Sequence, residues 1–371
     1  MTAARFGPTR LAVNSPNTRD LDNLVSHAVA CRDRGDAAGM TAALDRLLAL
    51  APGHLTALMM KADHFAATGD GRAAQAFYGA VVSRAPPAQT LPPQVRAVIA
   101  DMVERARAHA ADYARAFEAH LLEAVSRSGA EPSARFQQSI DLMLGKKEIF
   151  PQQPTSFYFP ELPQRQFYER GEFPWLAELE AQTAAIREEL VEVMRQDGAF
   201  RPYLEDDPNR PPGEFGTLKN NPDWSAFYFI KSGADDAGAA ARCPRTMTAI
   251  RKLPLTDAPG RTPSVLFSLL RPGARIHPHT GQINARLICH LPLIVPPGCG
   301  FRVGNETRPW VEGQTLIFDD TIEHEAWNDS RETRVVLLFE IWRPELTAAE
   351  RKSVAALLAA VGTYGKADPA P

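Results

Sequence analysis

Residues 271–343 read RPGARIHPHTGQINARLICHLPLIVPPGCGFRVGNETRPWVEGQTLIFDDTIEHEAWNDSRETRVVLLFEIWR, and this stretch decides the fold. It contains four apolar runs of strand length, RLICHLPLIV, GFRV, QTLIF and RVVLLFEIW. Turn formers such as Arg271-Pro272-Gly273 and Pro296-Pro297-Gly298 separate them. Two more such runs precede it, SAFYFI just after Trp224 and VLFSLL from Val265. Many short apolar segments with this punctuation argue for a sandwich or barrel of jelly-roll type.

Chemistry-bearing side chains sit at the ends of these runs. His279 follows one strand, His324 comes 45 residues later, and Arg334 stands ten beyond it at the start of the last strand. Non-heme iron commonly binds two histidines and one carboxylate, with the remaining positions open. The carboxylate expected two residues after the first histidine is missing, because Thr280 and Gly281 follow His279. A water can fill that place at some cost in affinity. Plainer readings stand beside these. His290 is also a typical satisfied histidine on an apolar strand, and Arg334 a surface charge at a strand start. His277 lies two residues before His279, on the same side of an extended segment, and is a rival ligand. Asp319, Glu323 and Glu325 read as solvated or as lying behind the ligands. Trp224 either lines the pocket or belongs to the core.

PHTG, NARLICHLPL, VGNETRPW, FDDTIEHEAWND and a strand ending in IWRPEL follow one another in this order. Together they resemble the aspartyl/asparaginyl β-hydroxylase family, over roughly residues 150–346. The resemblance implies a double-stranded β-helix (jelly-roll) oxygenase domain that depends on Fe(II), 2-oxoglutarate and dioxygen. It implies His279 and His324 as metal ligands. It implies Arg334 and Ser268 as the holders of the distal carboxylate of 2-oxoglutarate, His290 near the proximal carboxylate, and Asp320 as an acid that orients a bound water or ligand. The family lacks the carboxylate ligand, so Gly281 fits the resemblance. Ile288 departs from it, because the best-studied members carry arginine there. Arg286, two residues back, faces the same side of a strand. Whether it takes over or the co-substrate sits differently stays open. The implied reaction hydroxylates an Asp/Asn-type side chain of a peptide, protein or amino acid while 2-oxoglutarate becomes succinate.

The chain of 371 residues is long enough for two or three domains. Residues 18–128 read as helices only. Gly35-Asp36 recurs as Gly69-Asp70 and Ala51-Pro52 as Ala85-Pro86, both at an offset of 34, the tetratricopeptide period. The expectation is a tetratricopeptide-like repeat domain, with a plain helical bundle as the alternative. A longer helix with Val95, Val98, Ile99 and Met102 on its apolar face would cap it. Residues 129–165 read as a linker in which Pro132, Pro151, Pro154, Pro160 and Pro163 interrupt any helix. Residues 166–346 form the oxygenase domain. Its first helix starts at Pro174 and buries Trp175, Leu179, Ile186, Leu190 and Val193. The polar stretch 200–221 reads as a loop at the mouth of the site, a candidate for substrate specificity. Residues 347–371 form a C-terminal helix and tail. Thr347 and Glu350 make a capping box, Val354, Leu357, Leu358 and Val361 the apolar face, and GKADPAP a frayed end.

A net charge of −3 gives no footprint for nucleic acid or an anionic membrane. The four cysteines, Cys31, Cys243, Cys289 and Cys299, have no paired spacing and read as reduced thiols. The N-terminal segment lacks an apolar run of signal-peptide or membrane-span length, which implies a cytoplasmic protein. The helical repeats offer a docking surface for a peptide or protein substrate. Three functions stand at this point. One is the Fe(II)- and 2-oxoglutarate-dependent dioxygenase. A second is a catalytically silent repeat-plus-barrel binding module, which Ile288 favours. The third is a metal-dependent cupin-like enzyme on the same histidines that does not use 2-oxoglutarate.

Overall fold

The computed structural model describes residues 17–129, 131, 133–196, 198–204 and 220–364. The chain divides into two compact units, Met1–Lys146 and Lys147–Pro371. Among the described residues, no helix is long and apolar enough to cross a membrane.

The first unit contains helices α1 (Thr18–Asp33), α2 (Ala37–Leu50), α3 (Leu55–Ala67), α4 (Gly71–Arg84), α5 (Pro93–Arg127) and α6 (Ala134–Met143). Its repeat is visible at atomic level. Gly35 and Gly69 turn the chain at φ 74° and 82°, where a side chain would be strained. The next residue caps the following helix: Asp36 accepts from Gly39 N at 2.8 Å and Asp70 from Ala73 N at 3.0 Å. α1 and α2 close over Ala28, Leu44 and Leu47. α3 and α4 close over Leu58, Ala62 and Val81. α5 departs from expectation at its start, where Val95 and Val98 are exposed and only Ile99 and Met102 are half-buried. The stretch read as a linker also contains α6. The later prolines fall at 151 and beyond, so Ser133 is free to cap a helix by accepting from Phe136 N at 3.2 Å.

The second unit contains β1 (Phe167–Tyr168), α7 (Leu176–Glu180), α8 (Thr183–Met194), β2 (Arg201–Pro202), β3 (Trp224–Lys231), β4 (Ala234–Asp235), α9 (Ala237–Arg242) and α10 (Pro244–Ile250). There follow β5 (Val265–Leu270), β6 (Arg275–His279), β7 (Arg286–Ile294), β8 (Cys299–Val303), β9 (Glu306–Arg308), β10 (Leu316–Phe318), β11 (His324–Asn328), β12 (Arg334–Trp342) and α11 (Ala348–Thr363). The large sheet runs β1-β10-β7-β12-β5-β3-β2, with β4 beside β3, and the small sheet runs β6-β11-β8-β9. Every ladder between these strands is antiparallel. This is the jelly-roll sandwich, preceded in the chain by an all-helical unit.

Strand alternation assigns the two faces of the large sheet. In β12, Val335, Leu337, Phe339 and Ile341 pack under α7, α8 and α10, whereas Val336 and Leu338 face the small sheet. In β7, Leu287, Cys289, Leu291 and Leu293 take the helix side, and Ile288 faces inward. Both faces are covered, which explains why these strands read as unbroken apolar runs. β6 and β11 lack that signal. β6 is an edge strand, so it tolerates Pro278.

The single helix expected from Pro174 is broken into α7 and α8. Thr183 Oγ1 donates to Glu180 O at 2.6 Å, and the Glu180 carboxylate accepts from Thr315 N at 2.8 Å, which anchors the break. The expected stripe stays buried at Leu179, Ile186, Leu190 and Val193, while Trp175 is half-buried. α11 has the capping box of Thr347 and Glu350, but Leu357 and Val361 are exposed and only Val354 and Leu358 are buried. The tail residues 365–371 lie outside the described residues.

Candidate active site

A cavity of about 460 Å³ opens between the two sheets. His279 and His324 meet on its wall. His279 is itself the last residue of β6, where the sequence reading placed it just beyond a strand. It pairs in register with His324, the first residue of β11. The ring centroids are 4.1 Å apart. The Nδ1 of His279 lies 2.8 Å from His277 O, and the Nδ1 of His324 lies 3.1 Å from Ile322 O. A carbonyl can only accept, so each Nδ1 carries the proton and the lone pair resides on Nε2. Burial pushes both pKa values down, and His279 lowers that of His324 further. Both rings are therefore held neutral in the tautomer that a metal requires. His277 stays exposed on the rim, and its visible part in the site is the carbonyl that orients His279.

The deep end of the cavity carries Arg334, 1% exposed. Its guanidinium lies 4.5 Å over the Trp310 ring, and Nη1 donates to Ser268 O at 3.4 Å. It makes no ion pair with a described carboxylate, Nε has no hydrogen-bond partner, and burial pushes its pKa down to about 10. An uncompensated buried cation of this kind is a site for an anion. Ser268 on β5 is buried and accepts from Trp224 Nε1 at 3.4 Å. Trp224 lines the cavity, stacked on Tyr203 at 4.1 Å. His290 is surrounded by Phe301, Phe318 and Trp310, and burial together with Arg334 keeps it neutral.

The other end is built from Arg286, Asp320 and Glu340. Arg286 Nη2 lies 3.1 Å from Asp320 Oδ2, and Nη1 lies 3.5 Å from Glu340 Oε1. Arg286 shares the inward face with Ile288 and His290, as strand alternation requires. Gly281 makes room here, because a Cβ on it would lie 2.0 Å from Asp320 Oδ2.

The acids around His324 divide. Asp319 is fully buried, contrary to the solvated alternative of its reading: Arg343 Nη1 donates to its Oδ2 at 2.9 Å, and Gln152 Nε2 does so at 2.6 Å. Glu323 and Glu325 both pair with Arg302. Among the described residues, no group of three or more His, Cys, Asp or Glu is placed to hold a metal; the histidine pair, with both Nε2 lone pairs free of the Nδ1 protons, is the arrangement that could take one. Of the loop 200–221, Tyr203 and Leu204 line the cavity and residues 205–219 lie outside the described residues. The sequence reading missed Glu340 and Trp310. Glu340 had a signal: it continues the inward period Arg334, Val336, Leu338 in an otherwise apolar strand.

Residues 180–344 match the family profile described as aspartyl/asparaginyl beta-hydroxylase. Human aspartyl/asparaginyl beta-hydroxylase is 37% identical over 190 residues, which is 51% of this chain and 24% of that protein. The ornithine lipid ester-linked acyl 2-hydroxylase of Rhizobium tropici is 36% identical over 181 residues, 48% of this chain and 60% of that protein. Aspartate beta-hydroxylase domain-containing protein 2 of Xenopus tropicalis is 29% identical over 212 residues, 56% and 55% of the two chains. The similarity thus spans about a quarter to three-fifths of these relatives' own lengths. With its jelly-roll sandwich and its paired histidines, the segment 180–344 of this chain is similar to the aspartyl/asparaginyl beta-hydroxylase family.

Proposed function

We propose that the second unit is a hydroxylase that uses Fe(II), 2-oxoglutarate and dioxygen, and that it acts on an Asp/Asn-type side chain of a peptide, protein or amino acid. The observation that carries this reading is the uncompensated guanidinium of Arg334, buried in the same cavity as the two tautomer-fixed imidazoles. The residues fit the groups. Two neutral imidazoles suit Fe(II), and a buried cation beside a serine suits the distal carboxylate of a dianion. A metal-dependent enzyme that used no organic anion would leave Arg334 buried and unpaired, so the cupin-like alternative is less well supported.

When bound, iron with 2-oxoglutarate and dioxygen supplies the oxidant for C–H hydroxylation, with succinate and carbon dioxide as the other products. The chain binds and orients. Arg334 and Ser268 hold the distal carboxylate of the co-substrate, and neutral His290 stands beside it without adding charge. Phe301, Phe318, Ile288 and Leu338 keep water from the reacting centre. The side chains supply no acid–base pair for the chemistry, and the reaction needs none.

The substrate class is open beyond the family name, since the Rhizobium tropici relative is named for an acyl chain of a lipid. The repeated helix pairs of the first unit support a peptide or protein partner, for which they would be the docking surface. The experiment that tests the reading is succinate formation by purified protein given Fe(II), 2-oxoglutarate and air without added substrate. Production that is lost in His279→Ala and in Arg334→Ala supports it. Failure of iron and 2-oxoglutarate to bind refutes it.

A further inference from the structure

Each of the two cavity imidazoles is oriented from its own segment, His279 by His277 O and His324 by Ile322 O. Those contacts leave open where one segment sits relative to the other. The ladder between the segments is weak at this point. β6 is an edge strand, Pro278 has no N–H to give it, and the register between β6 and β11 shifts between His324 and Ala326. A site with two protein ligands has no third to fix their separation.

Residues 152–159 supply a hold from outside the ladder. Gln153 N donates to Thr321 O at 2.7 Å, three residues before His324. Thr155 N donates to Gly281 O at 3.0 Å, two residues after His279. Phe157 then lies beside Ile283 in parallel pairing. This strap therefore grips both histidine-bearing segments within a few residues of the rings.

Beneath it, the buried amide of Gln152 joins the same two segments. Its Oε1 accepts from Asn284 Nδ2 at 3.0 Å, and its Nε2 donates to Asp319 Oδ2 at 2.6 Å and to Pro163 O at 3.1 Å. Asn284 is held in turn by Phe159, whose N donates to Asn284 Oδ1 at 2.6 Å and whose O accepts from Nδ2 at 2.9 Å. On the other side, Thr321 Oγ1 donates to Asp319 Oδ1 at 2.6 Å. Both hydrogens and the oxygen of the Gln152 amide are thus committed. Only one orientation of the amide works, because a flipped one would set its oxygen against the Asp319 carboxylate. The bond to that carboxylate is charge-assisted, and the network is shielded from water.

We propose that Gln152 is a positioning residue for the metal: through Asn284 and Asp319 it sets the separation of the His279 and His324 segments, and with it the affinity of the pair for a divalent cation. Gln152 is not part of the cavity lining and acts from behind it. The inference rests on the reading of the two histidines as metal ligands.

The test is Co(II) binding to the full chain without 2-oxoglutarate, followed by visible absorption. Gln152→Met keeps the length of the side chain and removes its hydrogen bonds. It should bind Co(II) about tenfold or more weakly than the native protein, with an altered ligand-field spectrum. Leu190→Ala removes buried bulk on the helix side of the large sheet and is the control for general loss of stability; its Co(II) affinity should be native. Native affinity and spectrum in Gln152→Met overturn the proposal, and so does an equal loss of affinity in Leu190→Ala. A second measurement needs no variant and decides the matter even if Gln152→Met does not fold. Coupling is reciprocal, so Co(II) should slow hydrogen exchange at the Gln153 and Thr155 amides by about the same tenfold factor and leave α11 unchanged. No slowing at these two amides overturns the proposal while the metal reading stands. A native protein that binds no Co(II) overturns the metal reading, and the proposal with it.

Discussion

Gly281 and the carboxylate of Asp320 occupy one place: a methyl group on Gly281 would lie 2.0 Å from Oδ2 and 2.3 Å from Cγ of Asp320. Two residues after His279 is the position from which a carboxylate ligand would come. Here an acid from the loop before β11 fills the space instead, and Gly281 N donates to Asp320 O at 2.6 Å. Gly281→Ala must push Asp320 off Arg286, and overpacking of this kind costs about 1–3 kcal/mol. In an Asp320→Ala background the three atoms nearest the added methyl, all of the Asp320 carboxylate, are gone. The double-mutant cycle, followed by denaturant unfolding, should therefore show strong coupling. Additive effects would mean that the two residues do not compete for space.

Arg334 has no counter-ion among the described residues, so it is a burden on the protein without ligand. Replacing it with leucine, of similar apolar reach, should raise the stability of the ligand-free protein by roughly 1–3 kcal/mol. The same change should abolish the rise in Tm that 2-oxoglutarate gives the native protein. Thermal unfolding with and without 2-oxoglutarate measures both. A less stable Arg334→Leu protein would show that the guanidinium is compensated in the fold.

Asp320 gives a pH dependence with a definite sign. Burial outweighs the opposing pull of Arg286 and raises its pKa to about 6. The folded protein then binds this proton more tightly than the unfolded chain does. The contribution is complete below the ordinary carboxylate range and is lost as pH rises through about 6. Relative to Asp320→Asn, the native protein should lose up to about 3 kcal/mol of stability between ~pH 4 and ~pH 7. A flat difference across that range would show Asp320 ionised in the folded protein throughout.

The sandwich is legible in the sequence because its central strands are covered on both sides. RVVLLFEIW and RLICHLPLI are apolar at consecutive positions and can hardly be anything else. β6 and β11 are not legible, since RIHPH and HEAWN carry no alternation and become strands by pairing with each other and with β8. The same pairing brings His279 to His324, so motif order reveals the histidines while only the fold shows their contact. Arg334 can be found because a cation at the head of a buried strand needs a reason. Asp319 could not be found: its partner Arg343 is 24 residues away, and only the closed sandwich removes both from water.

That buried pair makes the last prediction. Arg343 and Asp319 have no exposed side-chain surface. Arg343 Nη2 also donates to Pro163 O at 2.8 Å and to Tyr168 Oη at 2.6 Å, while Asp319 takes Gln152. The pair thus fastens the segment 150–168 to the residue next to Asp320. Asp319→Asn leaves the buried Arg343 with only the partly exposed Glu345, 3.6 Å from its Nε, as an anion and should destabilise the unit by about 3–5 kcal/mol. Hydrogen exchange should accelerate first in that segment, before the central strands β7 and β12. Replacing both partners with apolar residues, Asp319→Leu with Arg343→Met, should recover part of the loss, because no unpaired charge then remains inside. A double variant no more stable than Asp319→Asn would mean that the hydrogen bonds to Pro163 and Tyr168, rather than the charge balance, hold the segment in place.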